Sequence, residues 1–171
     1  MKYRQSFISN SSSSSFIIAI KDFPNSEKKF KEMLLKEFGA DNSVPYKADN
    51  DIIITWDQIS KDFFQSLRKG KNPGMRKLVQ EIESAYLYDI EDRHWYGRDR
   101  NESEEDYRRN QTIQNINILK KKKTFLKNFL DQHKGDTFFI ISYADEDGSF
   151  GSAMEHEIVP GSFPNIHCSH H

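Results

Sequence analysis

The sequence predicts an α/β or α+β domain in which a small mixed sheet of about four or five strands is covered by about four helices. Three observations carry that expectation. Residues 16–20 (Phe-Ile-Ile-Ala-Ile) and 137–144 (Thr-Phe-Phe-Ile-Ile-Ser-Tyr-Ala) are continuous apolar runs of strand length. The stretches between them repeat apolar residues three and four positions apart, the period of a helix. The length, 171 residues, fits a single domain spanning 1–171, and 13 Phe, 7 Tyr and 2 Trp supply apolar surface for one core.

Each element follows in order. The five serines 11–15 sit between apolar pairs, so an ordered turn leading into a buried strand at 16–20 is expected. Ser26 ahead of Phe30, Met33, Leu34 and Phe38, with Gly39 after them, predicts a capped amphipathic helix. Asn42, Pro45 and Asp49 mark a loop, and residues 52–55 (Ile-Ile-Ile-Thr) predict a second buried strand. Ile59, Phe63, Phe64 and Leu67 lie on one helical face, which the Gly70, Pro73 and Gly74 segment ends. Leu78, Val79, Ile82, Ala85, Tyr86 and Ile90 predict a helix from Met75 to about Glu91. A longer helix from Ser103, with a capping-box-like Ser-Glu-Glu-Asp start, should run to about His133 and carries Ile113, Ile116, Leu119, Phe125, Leu126, Phe129 and Leu130 at helical spacing. Residues 137–144 are expected to form a central strand, 154–159 a further strand and 166–171 an edge strand.

Composition narrows the function classes. Lys and Arg total 25 against 26 Asp and Glu, a net charge of -1, and no helix-turn-helix, zinc-finger or RNP signature is present, so general nucleic-acid binding is not expected. The basic run 120–123 points around most of the helix circumference and does not make one stripe. A single cysteine, Cys168, excludes an intramolecular disulfide and a zinc site with two thiolates. No apolar run approaches the ~20 residues that span a bilayer, and residues 1–15 lack the apolar middle of a signal peptide. A cytoplasmic protein that does not engage the membrane is expected.

The two ends carry a resemblance. Residues 4–18 read R-Q-S-F-I-S-N-S-S-S-S-S-F-I-I. They resemble the opening of a family of bacterial and bacteriophage proteins that begin R-x-S-F-V-S-N-S-S-S-S-S-F-I, whose core serine motif falls on residues 9–16 here. The closing segment 145–171 holds Asp145, Asp147, Gly148, Gly151, Glu155, His156, Pro164, Ile166, Ser169, His170 and His171. It resembles the D-x-D-G, G, E-H, P-H-I-R-I-S-H-H ending of a subset of that family, with Asn165 in place of a histidine and His167 in place of an arginine. The resemblance implies a phage or bacterial cytoplasmic protein with an accessory role in infection or host interaction. It names no reaction.

The closing segment also concentrates chemistry. Asp145, Asp147, Glu155, His156, His170 and His171 offer oxygen and imidazole ligands suited to a divalent metal, and an ion held by Asp145, His156 and His170 could activate water for phosphoester hydrolysis. The spacing matches neither an EF-hand loop nor H-E-x-x-H, and the same carboxylates suit a turn that bonds its own backbone. Strand alternation puts Cys168 and His170 on one face and His167, Ser169 and His171 on the other. Ser11, Ser12, Ser13, Ser14 and Ser15 could present hydroxyls and amides to a ligand or partner, but they lack the glycines and lysine of a P-loop and the elbow of a serine hydrolase. Arg93, Trp95 and Tyr96, within a stretch of aromatics and alternating charges, suit either a protein interface or an ordinary helix end. Together these features favour a protein-binding or host-interaction factor, with a metal-dependent phosphoesterase or nuclease-like hydrolase as the alternative.

Overall fold

The apolar run that follows the serines forms the middle strand of the molecule. In the computed structural model, which describes residues 13–48, 53–87, 103–144 and 148–170, the element order is β1 (Ser13–Ile20), α1 (Glu27–Phe38), β2 (Tyr46–Lys47), β3 (Ile53–Ile54), α2 (Trp56–Lys69), α3 (Met75–Ser84), α4 (Glu104–Gln132), β4 (Thr137–Ala144), α5 (Gly148–Ala153), a π-helical turn (Met154–Ile158), α6 (Val159–Ser162) and β5 (Asn165–His170). One antiparallel sheet has the order β4-β1-β5, and β2 and β3 form a separate two-stranded ribbon. The fold is of the mixed α and β kind that the sequence predicts.

Both faces of the larger sheet are covered, which is why β1 alternates nothing and is apolar throughout its second half. Phe16, Ile18, Ile20, Phe139, Ile141 and Tyr143 pack with Phe30 and Leu34 of α1, Ile59, Phe63 and Leu67 of α2, and Met154 and Ile158. On the opposite face Ile17, Ala19, Ile140, Ile166 and Cys168 pack with Leu78 and Ile82 of α3 and Leu126 and Phe129 of α4. Helix starts follow the residues suited to them: Ser26, Thr55 and Ser103 each accept a hydrogen bond from the backbone N–H three positions on. Gly39, at φ 59°, closes α1 in the left-handed conformation while Ala40 N–H bonds the Leu35 carbonyl at 2.9 Å.

Several elements depart from the sequence expectation. The strand begins inside the serine run, at Ser13, where a turn was expected. The central strand is β1, and β4 lies beside it: a continuous apolar run reports that both faces are covered, not where the strand sits in the order. The run at 52–55 contributes the two-residue β3, with Ile53 exposed and Ile54 buried, because the Thr55 hydroxyl caps α2 instead of extending the strand. Residues 154–159 are helical, with Met154 and Ile158 four apart facing the core; Val159 N–H reaches the Met154 carbonyl, and Pro160 has no N–H to continue an α-helical ladder. Helix α3 stops at Ser84, after which Ala85 and Leu87 are buried and Tyr86 exposed, the alternation of an extended segment. Ile113, Ile116 and Leu119 are exposed, because the 29-residue α4 outruns the 10-residue α3 that packs on it.

Two isolated β-bridges, Lys71 with Phe139 and Tyr86 with Ser169, shield part of each outer edge of the sheet. Asn72 N–H bonds the Phe138 carbonyl at 2.8 Å and Ile140 N–H bonds the Gly70 carbonyl at 3.1 Å, closing β4. Tyr86 and Ser169 exchange backbone bonds of 2.8 and 3.2 Å, closing β5. Each bridge satisfies strand groups that would otherwise template pairing with another chain.

Candidate functional site

The pairing of β1 with β5 lays the serine run against the histidine-bearing C-terminal strand. Ser13 stands opposite His170, Ser14 opposite Ser169 and Ser15 opposite Cys168. Alternation sends Ser13, Ser15, Cys168 and His170 to the face covered by α3 and α4, and Ser14, His167 and Ser169 to the other.

On the α3 and α4 face, Ser15 donates a short hydrogen bond to Glu81 Oε1. His170 Nε2 lies 3.0 Å from Ser15 Oγ and 3.1 Å from Glu81 Oε1. Because the serine proton goes to the carboxylate, its oxygen accepts from the ring, which requires the proton on Nε2. Lys122 enters the same layer from α4; its ammonium donates to the Ala85 carbonyl and is buried. Cys168, also buried, has its thiol pushed up to about 12, first by burial and then by the Glu81 carboxylate, with Ser15 and Lys122 opposing. At neutral pH it is a neutral thiol, neither a nucleophile nor a thiolate ligand.

On the opposite face, His167 Nε2 meets Ser14 Oγ at 2.8 Å and its ring stacks on Phe16 with centroids 4.8 Å apart. Ser169 Oγ is buried without a hydrogen-bond partner among the described residues. Nearby, Tyr143 donates to Asp62 Oδ2 at 2.9 Å, tying β4 to α2.

Ser15, His170 and Glu81 are the residue types of an acyl-transfer triad, but their geometry is not a relay. A relay uses one ring nitrogen for the serine and the other for the carboxylate, whereas here Nε2 serves both. Ser15 is 1% exposed and its proton already points at Glu81. The arrangement fastens α3 to the two paired strands.

The structure brings Ser15 together with His170, and Ser14 with a histidine outside the candidate set, His167. It does not bring His156 to His170. His156 is exposed on the helical segment that packs on one face, and His170 projects from the other, so no single ion reaches both. Among the described residues no three of His, Cys, Asp and Glu form a group that could hold a metal. Ser11, Ser12, Arg93, Trp95, Tyr96, Asp145, Asp147 and His171 lie outside the described residues.

Glu81 and Lys122 were not singled out from sequence, although a signal existed. Glu81 lies three after Leu78 and four before Ala85, and Lys122 three after Leu119 and four before Leu126. A charge inside an apolar stripe marks a buried partner.

A second feature lies on α4. From Glu104 to Lys121 no residue is buried, and only Tyr107 and Ile118 are even half-buried. Ile113 and Ile116 are 48% and 47% exposed, on the side of the helix away from Lys122, Leu126 and Phe129.

These observations define a small α+β protein with a three-stranded antiparallel sheet, helices on both faces and one long helix that outruns the core. No protein-family model matches the chain, and no curated protein or solved structure matches it.

Proposed function

We propose that this chain is a binding factor that docks a protein partner on the outer half of α4, in keeping with the accessory or host-interaction role of a phage or bacterial protein that the resemblance of its ends implies. The observation that carries this reading is the exposure of Ile113 and Ile116, with Leu119 beside them, on a helical half that adds nothing to the core. Adjacent exposed apolar residues on a rigid helix suit a partner surface better than solvent. The serine and histidine pairs favour the same reading indirectly, since Ser14 and Ser15 are buried in fold-making contacts. The hydrolase alternative draws no support from His156 and His170, which lie on opposite faces.

The test is site-specific photocrosslinking in bacterial cells, with the photoreactive residue at position 116 or, as a control, at the exposed position 53. A discrete adduct at 116, lost when Ile113→Ser is added and missing at 53, is expected. Equal adducts at both positions, or none at either, would contradict the proposal.

A further inference from the structure

Resting on the reading of α4 as a docking helix, the pattern of its outer face points to the chemistry of the partner. From Tyr107 to Leu130 the helix carries seven cations and no carboxylate. Lys122 is buried on the Ala85 carbonyl, Lys123 pairs with Glu83 at 2.7 Å and Arg108 with Glu104 at 3.0 Å. Arg109, Lys120, Lys121 and Lys127 are exposed and form no ion pair among the described residues.

The placement of these cations matters more than their number. Arg109, Ile113, Ile116, Lys120, Lys123 and Lys127 follow one another at spacings of four, three, four, three and four, so they share one face over about 27 Å. The stripe runs cation, apolar, apolar, then three cations, with Glu105 one turn before it. All of it is exposed and, apart from Lys123, which pairs with Glu83 of α3, it points away from the face that packs on the core.

The stripe separates four occupants: a second copy, a nucleic-acid duplex, an anionic lipid surface and an acidic helix. A second copy pairing antiparallel with Ile113 over Ile116 would set Arg109 against Lys120 on both sides of the apolar pair, which opposes like charges. A phosphate backbone or anionic lipid surface would satisfy the cations. A duplex, however, would leave the two isoleucines at the centre of the contact facing phosphate, and two isoleucines are too small an apolar face to seat a helix in a lipid interface. An amphipathic acidic helix matches both parts, with apolar residues over Ile113 and Ile116 and carboxylates over the cations on either side.

We infer that the outer stripe of α4 recognises an acidic amphipathic helix of a protein partner. Recognition is divided between the two residue types: the isoleucines give the contact its desolvated centre, and Arg109, Lys120 and Lys127 set its orientation and exclude basic partners.

The probe is a fluorescent 21-residue helical peptide with Leu at the two central stripe positions, Glu at the outer ones and Ala or Gln elsewhere, compared with a twin carrying Lys for Glu. Binding to the full chain is read by anisotropy at low and moderate salt. The acidic peptide is expected to bind at least about tenfold more tightly than its twin, with the preference reduced by salt. The Lys120→Glu/Lys127→Glu variant should reverse the preference, and Ile113→Ser/Ile116→Ser should weaken the acidic peptide while leaving the helical signal unchanged. Equal binding of the two peptides, or binding of neither, would overturn the inference. Tighter binding to a 20-base-pair duplex or to phosphatidylserine vesicles, unaffected by Ile113→Ser/Ile116→Ser, would also overturn it. A variant-sensitive crosslink at position 116 together with no acidic preference would reject the partner chemistry while leaving the docking reading intact.

Discussion

Ser15 and Cys168 face each other across the β1 and β5 pair, with Glu81 and Lys122 reaching them from two helices, so this layer sets both a hydrogen-bond network and the state of the thiol. The Cys168 pKa is raised from 9.0 to about 12 in the folded chain. Between those values the unfolded chain has released the proton that the folded chain keeps, so stability is whole below pH 9 and falls as pH rises toward 12. Relative to wild type, Cys168→Ala should therefore gain about 1 kcal/mol between pH 8 and pH 10 in urea unfolding. Parallel pH profiles for the two proteins would show that Cys168 is not buried beside Glu81. The alternation of His167 and Cys168 to opposite faces was legible in the sequence, because strand geometry dictates it. Their partners were not, since nothing local says which strand pairs with which.

At the scale of elements, the breaks were as readable as the runs. Ser26 with Gly39, and Ser103 with Asp106, mark helix ends through groups that satisfy the backbone in place. Legibility failed where one pattern had two meanings. Ile158 and Val159 are β-branched, yet they belong to a helical segment because Met154 and Ile158 reach the core at helical spacing. Ile113, Ile116 and Leu119 have core periodicity, yet no described element lies over them. Gly70 also has a role that only the tertiary structure reveals. A Cβ there would sit 1.9 Å from the Ile140 carbonyl oxygen and 2.9 Å from its carbon, backbone atoms that cannot rotate away. Gly70→Ala should cost on the order of 3 kcal/mol by forcing the edge-covering segment off β4. A urea midpoint matching wild type would contradict that close approach.

For the whole molecule, the two unusual ends of the chain become one feature. The serine run and the closing histidines are far apart in sequence and adjacent in the sheet, where His167 serves Ser14 and His170 serves Ser15. Composition marked both ends as unusual but could not pair them, because strand order is a property of the complete fold. The pairing divides the molecule into a core, where the terminal motifs hold strands and helices together, and the outer half of α4, where apolar and cationic residues meet solvent. The central claim is that binding resides in the second part. Its most direct test is the yield of the position-116 crosslink, per folded molecule, in His170→Ala and in Ile113→Ser. The account predicts that His170→Ala lowers the unfolding free energy but keeps the adduct, whereas Ile113→Ser keeps that free energy within about 0.5 kcal/mol of wild type and loses the adduct. An adduct lost in folded His170→Ala and retained in Ile113→Ser would move the working surface to the serine and histidine pairs and contradict the account.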